Sequence, residues 1–118
     1  MRPRLVAQAF RYAAQGFRDA WRSQPNLRVH SYVGLGLIGL GLWCRLSRIE
    51  WLWVSLAIGL VIFAELMNTA IELAVDLVVG LRPDPLARRV KDLAASFVLA
   101  AASLAVIVRC LTFLPHLL

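Results

Sequence analysis

Three long apolar stretches dominate the chain, each bounded by basic residues, proline or both. Ahead of them, Leu5, Ala9, Tyr12, Ala13, Phe17, Ala20 and Trp21 recur at helical spacing, with Arg4, Arg11, Arg18 and Arg22 toward the other side. That pattern predicts a basic amphipathic helix suited to lying in a membrane interface. Ser23-Gln24-Pro25-Asn26 interrupts it, because Pro25 lacks an N–H and biases Gln24 away from helical backbone. The first apolar stretch, Val29 to Cys44, is short for a crossing of ~20 residues. It draws on Leu27 and Arg28, or extends past Arg45 with snorkelling side chains. Its glycines Gly34, Gly36, Gly39 and Gly41 allow close helix approach in lipid. The second stretch, Trp51 to Leu81, would reach ~46 Å as a helix, so its C-terminal half must leave the hydrocarbon. Trp51 and Trp53 suit an interfacial aromatic belt, Gly80 suits a helix C-cap, and Pro83 and Pro85 forbid simple continuation. A third stretch, Leu93 to Leu114, has Arg109 near its far end and Pro115 as a stop. The prediction is an all-α membrane protein in one domain over 1–118, with a surface helix over about 4–22 and spans over about 28–46, 50–80 and 90–114.

Composition agrees with that pattern. At 118 residues and 60% hydrophobic, the chain cannot hide its apolar side chains in a core of its own, and a bilayer is the natural sink. The formal charge of +6 would suggest nucleic acid in a soluble protein. Here the basic residues flank apolar stretches, which points to lipid headgroups and topology instead. Six arginines precede the first span, two lie in the hairpin after it, and Arg82, Arg88, Arg89 and Lys91 follow the second. The positive-inside rule then places the N-terminus and the second connection in the cytoplasm. The N-terminal segment lacks a continuous apolar core and a cleavage site, and is expected to remain in the mature protein. Cys44 and Cys110 stand apart from any Cys or His cluster and are expected to be packing residues.

The candidate chemistry lies inside the second span. Glu65, Asn68, Glu72 and Asp76, at spacings of three, four and four, share one helical stripe. An ionised carboxylate in hydrocarbon costs a few kcal/mol, so such a row must face a partner helix, a cation or a polar cleft. Past the proline loop come Arg88, Arg89, Lys91 and Asp92, with Lys91 the sole lysine of the chain. The cluster doubles as a topology signal, but Asp92 adds nothing to one. A deep carboxylate to take a lipid hydroxyl proton, shallower acids for Mg²⁺ and a lysine for phosphate suit phosphoryl transfer. No soluble-kinase Gly-rich loop accompanies them. A proton-coupled transporter with Glu65 as the titrating group, and a non-catalytic scaffold with the acids as interhelical glue, are the competing readings.

The stretch Glu65-Leu-Met-Asn68-Thr-Ala-Ile-Glu72-Leu-Ala-Val-Asp76 resembles the signature of the prokaryotic diacylglycerol kinase and undecaprenol kinase family. The resemblance continues through Pro85-Leu-Ala-Arg-Arg-Val-Lys91-Asp92 and reaches back to Phe10-Arg-Tyr12-Ala-Ala-Gln-Gly16 and Asn26-Leu-Arg28-Val-His30. It implies a homotrimer with sites shared between protomers, and Mg²⁺-dependent transfer of the ATP γ-phosphate to a membrane lipid alcohol at the bacterial inner membrane. Carried over by position, it makes Glu65 the general base and Glu72 a metal ligand. Asn68, Asp76, Lys91 and Asp92 then contact nucleotide or organise the site, Tyr12 and Arg4 meet the nucleotide, and Asp84 sits in the loop near ATP. Gln24 stands where many members carry a metal-binding glutamate, so it keeps an oxygen ligand and loses a charge. The stretches at Asn26–His30 and Pro85–Ala87 look more like the undecaprenol branch than the diacylglycerol branch.

Overall fold

The computed structural model describes residues 3–118, with side chains from Leu5 onward. Four helices follow one another: α1 (Pro3–Ser23), α2 (Pro25–Cys44), α3 (Arg48–Val79) and α4 (Pro85–Leu117). The last three are long and apolar enough to cross a membrane, and the chain is an all-α membrane protein. Arg4 has its side chain outside the described residues.

Each junction has a local cause. Gln24 is extended (φ −118°, ψ 99°) and Pro25 occupies the first turn of α2, where its missing N–H costs nothing. Arg28 then folds back, its Nη1 donating to the carbonyls of Trp21 (2.6 Å) and Arg22 (3.1 Å) that the end of α1 leaves unpaired. At the far end, Arg45 adopts the left-handed conformation (φ 55°). Its N–H bonds the Leu42 carbonyl and the Leu46 N–H bonds that of Gly41, the paired closure of a Schellman motif. Ser47 and Glu50 open α3 as a capping box, with reciprocal bonds of 3.2 and 3.1 Å. Gly80 (φ 63°) ends α3, and Asp84 Oδ1 accepts from the N–H groups of Leu86 and Ala87 to start α4.

The expectation about α4 needs correction at both ends. The helix begins at Pro85, ahead of the span placed over about 90–114, because the Asp84 cap and a proline in the first turn start it before the apolar stretch does. Arg88, Arg89, Lys91 and Asp92, past the proline loop, are therefore helical residues. Pro115 does not stop the helix, which runs to Leu117 with the Leu118 N–H bonded to the Leu114 carbonyl at 3.0 Å. A proline this close to the end removes one donor with too few turns left to disrupt.

Packing in the bundle rests on small residues. Ala57, Val61 and Ala64 of α3 meet Ala101 and Ala105 of α4, so the two backbones approach closely. Leu46, Val54 and Phe113, with Trp51 against them, form a second cluster at the hairpin end. The four glycines of α2 divide. A Cβ at Gly34 would stand 3.0 Å from Ile58 Cγ2, and one at Gly41 only 2.7 Å from Trp51 Cη2. Gly36 and Gly39 have nothing within 4 Å. Only the first pair serves the α2–α3 contact. Cys44 lies partly buried beside the hairpin cluster, whereas Cys110 is exposed. Large apolar residues such as Trp43, Leu77 and Leu111 are mostly exposed, the pattern of helices solvated by lipid.

Candidate active site

The carboxylate row of α3 is graded by depth. Glu65 is 2% exposed, Glu72 is half-buried and Asp76 is exposed. The eleven-residue step from Glu65 to Asp76 is ~16 Å along the helix. The row therefore runs from the buried middle of the bundle to its open end.

At the deep end, α2 presents His30, whose Nε2 lies 3.4 Å from Glu65 Oε1. The two are within ion-pair distance but are not aligned as a hydrogen bond, and Glu65 Oε1 is left buried without one. One turn along, Asn68 Nδ2 donates to Glu72 Oε1 at 3.4 Å, while Asn68 Oδ1 is buried and unpartnered. Thr69 is tied to its own helix through the Glu65 carbonyl (2.9 Å) and is not available to either carboxylate. Leaving a buried polar atom unpaired costs about 1–3 kcal/mol. Two such atoms lie within one turn of α3, and the third among the described residues is Arg109 Nε of α4.

At the shallow end, Lys91 Nζ of α4 donates to Asp76 Oδ1 of α3 at 2.6 Å. Below this bridge the chain reversal encloses a cleft of about 590 Å³, lined among others by Gly80, Arg82, Asp84, Arg88 and Asp92. Asp92 pairs with Arg88 at 3.9 Å in an exposed contact worth little to stability. Asp76, Asp84, Lys91 and Asp92 thus share one cleft, although the first carboxyl oxygen of Asp84 is committed to capping α4.

The structure does not bring every sequence candidate to that cleft. Tyr12 is exposed on α1 and Gln24 stands at the α1–α2 break with no capping bond from its side chain. Among the described residues no three His, Cys, Asp or Glu side chains converge to hold a metal. Glu72 and Gln24 nevertheless offer the hard oxygen donors that Mg²⁺ takes, and that ion is usually held by one or two carboxylates plus substrate phosphates. The donor chemistry fits a cation carried by a nucleotide. His30 is the site residue that the spacing argument missed. Its signal was there, since a histidine inside an apolar span has no bland solvent to face.

The site thus joins a buried carboxylate to a lysine–aspartate bridge along one stripe of membrane-spanning helix. The family model described as prokaryotic diacylglycerol kinase matches residues 11–113. The chain belongs to that family, and its class is that of the membrane lipid kinases. It is 42% identical over 116 residues to a diacylglycerol kinase of Synechocystis sp., covering 98% of this chain and 66% of that longer protein. It is 36% identical over 110 residues to the undecaprenol kinase of Bacillus subtilis, covering 93% and 89%. A diacylglycerol kinase of Escherichia coli is 29% identical over 111 residues, covering 94% and 90%.

Proposed function

We propose that the protein transfers the γ-phosphate of ATP to the hydroxyl of a membrane lipid, undecaprenol or diacylglycerol, releasing the lipid phosphate. The observation that carries this reading is Glu65, a carboxylate buried at lipid depth on the helix stripe that ends at the Lys91–Asp76 bridge. Glu65 takes the proton from the lipid hydroxyl as its oxygen bonds to phosphorus and the bond to ADP breaks. Lys91, held in place by Asp76, offsets phosphate charge from the cleft, and Asn68 orients Glu72. Mg²⁺, held by Glu72 and Gln24 together with the nucleotide, would supply further charge neutralisation. Tyr12, Asp84, Asp92 and the unplaced Arg4 complete the nucleotide contacts, with α1 reaching the site of its own or a neighbouring protomer in a homotrimer. The basic residues of the N-terminal segment and the α3–α4 connection support a cytoplasmic position for this end, at the inner membrane.

The names of the relatives divide between the two lipids, while the resemblance at Asn26–His30 favours undecaprenol. Purified protein incubated with γ-labelled ATP, Mg²⁺ and each lipid is expected to give a labelled lipid phosphate, more with undecaprenol. Absence of product with both lipids, under conditions where a characterised family member works, would overturn the reading.

A further inference from the structure

We propose that His30 is a positioning residue for Glu65, holding the buried carboxylate in the rotamer that faces the lipid hydroxyl. The inference rests on the lipid-kinase reading and extends it to a second helix. Three observations lead to it. First, His30 is the one ionisable side chain within ion-pair distance of Glu65 among the described residues. Second, Glu65 has no hydrogen-bond donor from its own helix, because Thr69 is turned to the Glu65 carbonyl and Asn68 to Glu72. A glutamate with three rotatable bonds and no donor has nothing to choose its orientation. Third, the approach of α2 is built in. Leu27, 1% exposed, and Gly34, against Ile58, lie on the α2 surface that meets the rest of the bundle, one turn to either side of His30. Arg28 clamps the start of α2 to the end of α1.

Since a carboxylate only accepts, Nε2 must carry the proton in this contact, and the imidazole acts as a directed donor. The contact is 3.4 Å long and is not aligned as a hydrogen bond. Catalytic hydrogen bonds of this kind often tighten only once substrate is bound. The side chain of His30 is 25% exposed against 3% for Glu65, so the donor reaches in from a more open rim and has room to close.

The test measures kcat and KM for lipid and ATP in wild type, His30→Ala, His30→Gln, Glu65→Gln and the Glu65→Gln/His30→Ala double variant. His30→Ala is expected to lower kcat on the order of 10- to 100-fold, as a misplaced catalytic group does, with the KM for ATP unchanged. His30→Gln, which keeps an N–H donor, should restore most of the loss. In the Glu65→Gln background, His30→Ala should have no further effect, because its role passes through the carboxylate. Equal losses in both backgrounds, a drop confined to KM, or wild-type turnover in His30→Ala would overturn the proposal. If His30→Ala does not fold, His30→Gln and His30→Asn carry the same comparison. A wild-type protein without kinase activity would instead overturn the reading beneath it.

Discussion

The two ends of the bundle are made from the same helices and are finished in opposite ways. At the hairpin end the helix termini are closed by local polar pairs. The Schellman closure pairs the last carbonyls of α2, the Ser47–Glu50 box pairs the first N–H groups of α3, and His116 Nε2 meets Glu50 Oε2 at 2.7 Å to tie α4 to α3. Beneath them Leu46, Val54 and Phe113 close an apolar plug. Toward the other end, Glu65 and Asn68 keep unpaired oxygens and an open cleft separates the helix ends. Arg109 Nε near the hairpin end is also buried without a partner, so the two ends differ in pairing unpaired oxygens with an open cleft, not in an unpaired atom alone.

Five substitutions test that division. The largest effect is expected at the deep carboxylate: Glu65→Gln should lower lipid phosphorylation about 10²- to 10⁴-fold, measured with labelled ATP, with little change in thermal midpoint. A fall in stability with intact turnover would make Glu65 a packing group. Lys91→Ala comes next, removing a charge-assisted contact of about 1.5–3 kcal/mol and so raising the KM for ATP roughly 10- to 100-fold. Unchanged ATP dependence would show that the cleft under the Lys91–Asp76 bridge is not where phosphate binds.

At the hairpin end the order reverses, stability moving and turnover staying. Gly41→Ala forces a Cβ toward Trp51 and should cost about 1–3 kcal/mol, read as a lowered thermal midpoint in detergent. Gly36→Ala has open space and should be neutral or slightly stabilising. Equal losses at both would mean that a neighbouring protomer packs on the Gly36 face. His116→Ala should be the mildest, with a barely lowered thermal midpoint, because its partner lies near the surface.

Much of this contrast was already readable from local pattern. The Glu65–Asp76 row, the break at Gln24-Pro25, the Gly80 cap and the three apolar lengths depend on neighbours a few residues apart, which sequence states directly. The errors arose where two local signals competed. Pro115 reads as a stop until one sees that it sits in the last turn, and the Asp84-Pro85 start of α4 lies in a polar stretch ahead of the apolar one. Cys110 resembled Cys44 in its setting along the chain, yet only Cys44 turns inward.

Periodicity and apolar length by themselves determined that the protein is helical, that it spans a membrane, and which carboxylates share a stripe. Those properties follow from a rise and rotation per residue that every α-helix has. They carry no information on how one helix is rotated against the next. Only the packing of α2 on α3 decided that Gly34 and Gly41, and not Gly36 and Gly39, face the contact. The packing of α3 on α4 set Lys91 against Asp76. The same choice of faces put His30, from thirty-five positions away, beside the buried carboxylate that the sequence had singled out alone.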